Sequence, residues 1–186
     1  DLSSANDVRK NVLYNCDSPS GAYDLSDISN FAASAFNNCD RITGFVIPNS
    51  FSGNILDIFA GCIALEKVEV ENNASYKSIN GILFTSDEKT LVFYPFAKEG
   101  PTYKVPNKVT KIGDSAFKNN TSLDRVILPE ALKEIGVAAF SYSAILDCYI
   151  PDGIKIINVD TFKGCASIQW VVVGAGVEST GIDAFA

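Results

Sequence analysis

Residues 109–129 read VTKIGDSAFKNNTSLDRVILP, and this pattern recurs along the chain. Phe117 is the anchor of this copy, with apolar residues at regular places on either side and a proline at its end. The same anchor position is held in successive copies by Phe36, Phe59, Phe117, Phe140, Phe162 and Phe185, at spacings of 23, 58, 23, 22 and 23 residues. A fixed period of this size is typical of a solenoid. One copy is too short to bury its own apolar residues, so the copies must stack on one another.

Composition excludes several classes of function. The chain has 186 residues and a net charge of −7, from 15 basic and 22 acidic residues, with no run of Lys or Arg. Nucleic acids and anionic membranes bind clustered basic residues, so neither is an expected partner. No apolar run approaches 18 residues, so we expect no membrane insertion. The chain lacks His, which removes His-based catalysis and His metal ligands, and we predict no enzyme activity and no cofactor.

The repeat pattern divides the chain into two parts. Residues 1–27 fit the unit poorly, and we interpret them as an N-terminal cap or a degenerate first rung, with a strand near residues 12–14. Residues 28–186 form the repeat domain. The 58-residue gap between anchors predicts one further rung and an inserted β-hairpin at about 76–98, with strands at 82–85 and 91–94 around the polar turn Ser86-Asp87-Glu88-Lys89. The last copy is partial and the chain has no Met, so we expect a processed or trimmed product that naturally continues.

Short strands are predicted where each copy approaches its proline, at 45–47, 68–70, 103–105, 126–128, 148–150 and 171–173. Because strand side chains alternate, the first and third residue of each triplet should face the core and the middle residue should face outward. Gly113, Gly136 and Gly181 share one position, which Asn158 takes in another copy. Gly and Asn tolerate positive φ, so we expect a tight left-handed turn there.

The unit, with its IGxxAF run at 112–117 and 135–140, its strand ending in (I/L)P and its period of about 23 residues, resembles the BspA-type leucine-rich repeat of bacterial and protist surface proteins. The hairpin sequence SINGILF…TLVFYP is similar to an insertion common in that family. The resemblance covers residues 28–186. It implies a leucine-rich repeat solenoid, a right-handed α/β superhelix with a parallel sheet on one face and short helical turns on the other. It also implies an extracellular or cell-surface location, and some relatives are reported as adhesins that bind host extracellular matrix proteins. The family has no fixed catalytic motif, so no site residue is transferred from it.

Five cysteines are the first candidates for chemistry. Cys39, Cys62 and Cys165 each lie three residues after an anchor, where Asn120 and Ser143 stand in other copies. We interpret them as small buried groups that pack in the turn, although a disulfide between Cys39 and Cys62 is conceivable. The sequence contains no CxxC pair, so it gives no support for a zinc site. Cys16, outside the repeat, is the best candidate for a reactive or paired thiol. Scattered carboxylates such as Asp147 and Asp152 are interpreted as a solvated acidic surface.

The outward face of the strands is the better candidate for binding. Trp170, the only Trp, precedes a strand and faces outward by alternation, and the same projected face holds Tyr149, Ile127, Arg125 and Val172. Exposed aromatic and apolar residues rimmed by charge mark interaction sites. An equal alternative is that Trp170 caps the sheet or packs on a neighbouring coil. The hairpin tip at 85–90 could also reach a partner, or simply fill a bend in the solenoid.

The leading functional prediction is a non-enzymatic, extracellular, adhesin-like module that binds a protein or glycan partner, including host extracellular matrix, through the strand face. The alternative is a structural spacer or display stalk of a larger surface protein, with recognition residing elsewhere.

Overall fold

The structure, a computed structural model, describes residues 7–8, 20–25, 30–31, 36–49, 51 and 55–186. The predictions for Cys16 and for a strand near residues 12–14 lie outside the described residues. The chain divides into two compact units, residues 1–86 and 87–186. Both units are built of solenoid coils whose strands pair in parallel with the strands of the next coil, so the predicted repeat solenoid is confirmed.

The N-terminal unit is organised around a three-stranded parallel sheet in the order β2-β4-β5. The stacked rings of Phe45 and Phe59, with centroids 4.4 Å apart, lie in its core, and Phe36 meets Phe45 edge-on. All three rings are buried. The described elements of this unit are β1 (Asp7–Val8), β2 (Gly21–Asp24), β3 (Asn30–Phe31), β4 (Ile42–Ile47), α1 (Leu56–Phe59), β5 (Lys67–Val70), β6 (Tyr76–Ile79) and β7 (Ile82–Thr85).

A tight antiparallel hairpin joins β6 and β7, with Ile79 opposite Ile82. Its two turn residues, Asn80 and Gly81, both have positive φ, at 53° and 76°. An Asn-Gly pair is the strongest short sequence signal for such a turn. The two strands that were predicted for the inserted hairpin, at 82–85 and 91–94, are present as β7 and, one residue early, as β8 (Thr90–Phe93).

The C-terminal unit has strands on two faces of each coil. One face carries the parallel sheet of the strands at 170–173, 147–150, 125–127 and 102–104, and the other face carries parallel pairs between the strands at 90–93 and 111–112, 111–112 and 134–135, and 156–157 and 179–180. The elements are β8 (Thr90–Phe93), β9 (Thr102–Lys104), β10 (Lys111–Ile112), β11 (Arg125–Ile127), β12 (Glu134–Ile135), β13 (Asp147–Ile150), β14 (Ile156–Ile157), β15 (Trp170–Val173) and β16 (Ser179–Thr180). The resemblance implied short helical turns opposite the sheet, but within the described residues this unit has two-residue strands and hydrogen-bonded turns there instead.

A stack of aromatic rings runs through the core of this unit and ends at the half-exposed Phe185. Phe117, Phe140, Phe162 and Phe185 lie in successive coils with centroids 5.0, 5.2 and 5.4 Å apart and planes within 8° of parallel. Tyr94 continues the stack at 5.2 Å from Phe117, so it takes the anchor position in the coil where no anchor phenylalanine was predicted. Neighbouring coils therefore bury their largest side chains against one another, which no single coil could do.

The shared glycine position is not a left-handed turn, and that prediction is wrong. Positive φ occurs two residues later, at Ser115 and Ala138, while Gly113 and Gly136 keep negative-φ backbone. A Cβ on Gly136 would lie 2.5 Å from the backbone nitrogen of Asp114 and 2.7 Å from the carbonyl carbon of Gly113. Glycine is needed there because successive coils approach too closely for a side chain pointing between them.

The described part of the chain contains one helix, the four-residue α1, and no helix that is long and apolar enough to cross a membrane.

Candidate strand-face site

The sheet β9-β11-β13-β15 presents two rows of outward side chains. In the first row Arg125 is paired in register with Asp147, and Asp147 with Trp170. In the second row Ile127 is paired with Lys104, and Tyr149 with Val172. The residues between these rows face the core, as the alternation of a strand requires: Val126 and Cys148 are both buried.

The predicted outward residues are exposed. Tyr149 is 44%, Ile127 43%, Val172 47% and Trp170 49% exposed. One inward prediction is wrong: Val173 is also 47% exposed, because β15 is the edge strand of its sheet and has β13 on one side only. The same position explains Trp170, which stands on the edge strand and keeps half of its surface in solvent.

A shallow groove of about 350 Å³ lies on this face. It is lined by Arg125, Val126, Ile127, Leu128, Glu130, Asp147, Tyr149 and Trp170. Four of the five residues predicted for partner binding therefore meet in one depression. The fifth, Val172, is exposed beside Tyr149 but does not line the groove.

An ion pair crosses the floor of the groove. Arg125 donates from Nε to Asp147 Oδ1 at 2.6 Å and from a terminal nitrogen to Oδ2 at 2.5 Å. The hydrogen bonds and the charge of Asp147 raise the pKa of the Arg125 guanidinium. Asp147 is 8% exposed, so the sequence interpretation of it as a solvated surface carboxylate is wrong. The signal that could have found this pair is the opposite charge at the same place in adjacent copies, 22 residues apart.

Two further carboxylates act on the charge of the Tyr149 hydroxyl. The charge of Asp152, followed by partial burial and the charge of Glu130, raises the pKa of the Tyr149 hydroxyl. Glu130 and Asp152 each follow the proline that ends their strand, so the repeat places both at the same edge of the sheet. Asp152 Oδ1 also accepts a hydrogen bond from the backbone N–H of Ala175 at 2.8 Å. Glu130 was not predicted as a site residue, because a single glutamate forms no pattern in the sequence.

In three coils the position three residues after the anchor holds a buried polar group that joins neighbouring coils. Cys62 donates its thiol to the carbonyl of Phe36, and Cys165 donates to the carbonyl of Phe140, both at 3.0 Å. Asn120 does more at this position, since it donates to two carbonyls and accepts from two backbone N–H groups. The predicted role of these residues in packing the turn is confirmed for Cys62, Cys165 and Asn120.

The buried cysteines are thiols and are poorly suited to chemistry. Cys39, Cys62, Cys148 and Cys165 are all present in the reduced form, so the conceivable disulfide between Cys39 and Cys62 is not formed. Burial raises the pKa of Cys62 and of Cys148 to about 12. Thiolates are the reactive form of cysteine, so burial makes these two thiols inert. Within the described residues no group of three or more His, Cys, Asp or Glu side chains is placed to hold a metal ion.

Solved structures of bacterial leucine-rich repeat proteins share this fold. A leucine rich cell surface protein from Faecalibacterium prausnitzii is 22% identical, with a TM-score of 0.70 over 95% of this chain and 53% of its own. A leucine-rich repeat protein from Eubacterium ventriosum is 19% identical, with a TM-score of 0.65 over 87% of this chain and 54% of its own. The pneumococcal vaccine antigen PcpA is 21% identical, with a TM-score of 0.60 over 84% and 49%. The chain thus spans about half the length of these proteins.

No curated protein matches the chain. The family model described as the BspA type leucine rich repeat region, with six copies of the repeat, matches residues 2–91 and again residues 89–186. These two matches together span nearly every residue, including those of the strand-face groove, and the chain therefore belongs to the BspA-type leucine-rich repeat family.

Proposed function

We propose that this chain is a non-enzymatic binding module of a cell-surface repeat protein and that it holds a protein or glycan partner in the strand-face groove. The observation that carries the proposal is the meeting of Tyr149, Trp170 and Ile127, each more than two fifths exposed, in one groove. Exposed apolar side chains that meet in one patch mark interaction sites, whereas singly scattered ones do not. Aromatic residues are also the side chains that most often dominate binding energy.

The location outside the cell is supported by the family and by the printed descriptions of two similar structures. One is a leucine rich cell surface protein, and another is a vaccine antigen. The non-enzymatic role is supported by the absence of His from the sequence and by the inert environment of Cys62 and Cys148. Host extracellular matrix proteins are the first partners to test, because an exposed adhesive face would meet them directly.

The alternative role, a spacer or display stalk, is favoured by a different observation. The aromatic stack and the hydrogen bonds of Asn120 and Cys165 join neighbouring coils of the C-terminal unit. Among the described residues, no buried side-chain nitrogen or oxygen lacks a hydrogen-bond partner. Such a stack needs no partner in order to be stable. In a spacer, the side chains of the groove could change without loss of function.

The test is to compare binding of the wild type and of a Tyr149→Ala/Trp170→Ala variant to immobilised matrix proteins and to a glycan array. We expect the double substitution to weaken binding about 100-fold, since each aromatic anchor contributes on the order of a factor of ten or more. Tyr142→Ala is the matched control, because Tyr142 is 54% exposed and does not line the groove. Equal binding by the wild type and the double variant would reject the strand-face proposal in favour of the spacer.

A further inference from the structure

We propose that the occupant of the strand-face groove is a basic protein segment that lays a lysine or arginine side chain over Tyr149 and Trp170, beside the carboxylates of Glu130 and Asp152. This inference rests on the proposed function and names the chemistry of the partner. It follows from the charges in the groove that are not neutralised by ion pairs between the lining residues.

The aromatic part of the groove suits a cation. Tyr149 and Trp170 stand on adjacent strands β13 and β15, and both line the groove with nearly half of their surface exposed. The faces of such rings attract ammonium and guanidinium groups, and Trp is the strongest of the aromatic side chains in this respect. A long aliphatic stem with a cationic tip can also cover Ile127, whose side chain lies at 43% exposure in the same groove.

The charges of the groove add up to an excess of negative charge. Arg125 is the one cation among the lining residues, and both carboxylate oxygens of Asp147 hold it. Glu130 therefore remains as an exposed carboxylate in the lining, and Asp152, outside the lining, is a second exposed carboxylate. Glu130 and Asp152 each follow the proline after β11 and β13, and these two strands are paired in register, so the two carboxylates hold the same place in adjacent coils.

Besides Arg125, the described residues of strands β9, β11, β13 and β15 include one other cation, Lys104, and it lies away from Tyr149. Lys104 is exposed on β9, in register with Ile127, and it does not line the groove. Its charge disfavours a cation at the β9 end of the second row and favours one at the opposite end, over Tyr149. A basic segment would therefore lie across β11, β13 and β15 rather than extend to β9.

A neutral glycan fits the groove less well. Sugar hydroxyls are recognised by polar side chains that are free to donate and accept hydrogen bonds in defined directions. The obvious polar pair in the groove, Arg125 and Asp147, is already joined by two short hydrogen bonds. Breaking that pair to reach a hydroxyl would leave the nearly buried Asp147 without its counter-charge, which is unfavourable. The net charge of −7 also steers a basic partner toward the protein and repels an acidic one.

The sole Trp of the chain lies in the groove, so its fluorescence reports occupancy directly. The experiment titrates the full chain with amidated pentaarginine, pentaglutamate and maltopentaose while the emission of Trp170 is followed. We expect a saturable change with pentaarginine that weakens as salt is raised, and no change with the other two probes. Glu130→Gln should weaken pentaarginine binding about threefold, as expected for one partly screened carboxylate.

The matched control is Glu99→Gln, which removes the same charge from an exposed glutamate outside the groove lining and should leave the affinity unchanged. Thermal melting of both variants checks that each is folded. No response to pentaarginine, an equal affinity in the wild type and Glu130→Gln, or a stronger response to maltopentaose would each overturn the inference. The proposed function fails separately, when the Tyr149→Ala/Trp170→Ala variant binds its immobilised partners as well as the wild type does.

Discussion

Asn120 offers the most direct test of how the coils are held together. Its side chain is fully buried. Nδ2 donates to the carbonyls of Pro95 at 2.9 Å and Phe96 at 3.1 Å, both in the preceding coil. Oδ1 accepts from the N–H groups of Ser122 at 3.1 Å and Leu123 at 2.9 Å, in its own turn. One amide therefore satisfies four buried or partly buried backbone groups at once.

Replacement of Asn120 by Ala removes all four hydrogen bonds and leaves the backbone groups without these partners. Each lost bond costs about 1 kcal/mol net, so we expect Asn120→Ala to lower the free energy of unfolding by about 4 kcal/mol. That is a large share of the stability of a domain of this size. Thr121→Ala is the control, because Thr121 is exposed next to Asn120, and its replacement should cost well under 1 kcal/mol.

The assay is urea denaturation followed by the fluorescence of Trp170, which lies in the same unit as Asn120. Asn120→Asp separates the two halves of the interaction, since the carboxylate keeps the acceptors but cannot donate to Pro95 and Phe96. Burial and the facing carbonyls should raise the pKa of this new carboxyl in the folded state. The variant should therefore be least stable at pH 7 and regain stability as the pH falls towards about 4, where the protonated carboxyl can donate.

Asn120→Cys imitates Cys62 and Cys165 and should be milder than Asn120→Ala, because its thiol can donate one hydrogen bond across the coils. The reasoning would be refuted if Asn120→Ala cost no more than Thr121→Ala. It would also be refuted if Asn120→Asp were as stable as the wild type at pH 7, because the donor bonds to the preceding coil would then contribute nothing.

Two further predictions follow from burial and close approach. Because burial raises the pKa of Cys62 and Cys148 from 9.0 to about 12, ionisation of these thiols favours the unfolded chain. Stability is thus complete below pH 9 and falls between pH 9 and 12, by at most about 1.4 kcal/mol per pH unit for each thiol, and a constant urea midpoint across that range would contradict this. A Cβ on Gly176 would lie 1.8 Å from the carbonyl oxygen of Asp152. Gly176→Ala should therefore cost about 1–3 kcal/mol in the same denaturation assay, as overpacking does, whereas Ala175→Ser at an exposed position should not.

Much of the architecture was available from the repeat alone. The anchors Phe117, Phe140 and Phe162 were predicted from spacing, and they stack in the core. The outward positions of Ile127 and Tyr149 were predicted from strand alternation, and both are exposed. These predictions succeeded because a stacked coil imposes the same local environment on every copy, so one-dimensional periodicity carries three-dimensional information.

The failures share a different cause. Gly136 was assigned a left-handed turn from residue type, whereas its role depends on the distance to Asp114 in the neighbouring coil. Val173 was assigned to the core by alternation, but alternation does not reveal that β15 is an edge strand. In both positions the deciding neighbour belongs to another coil, and a pattern within one copy cannot show it.

The sequence by itself determined the repeat, the anchors, the outward residues and the membership of the BspA-type leucine-rich repeat family. Only the tertiary structure decided that Arg125 neutralises Asp147, that four predicted residues share one groove, and that Glu130 remains exposed beside them. The physical reason is that every copy carries the apolar pattern that determines its packing. The charge of a surface depends instead on which side chains of different coils meet. The net charge of the groove depends on the ion pair between Arg125 and Asp147. That pair forms only because the two coils are held in register.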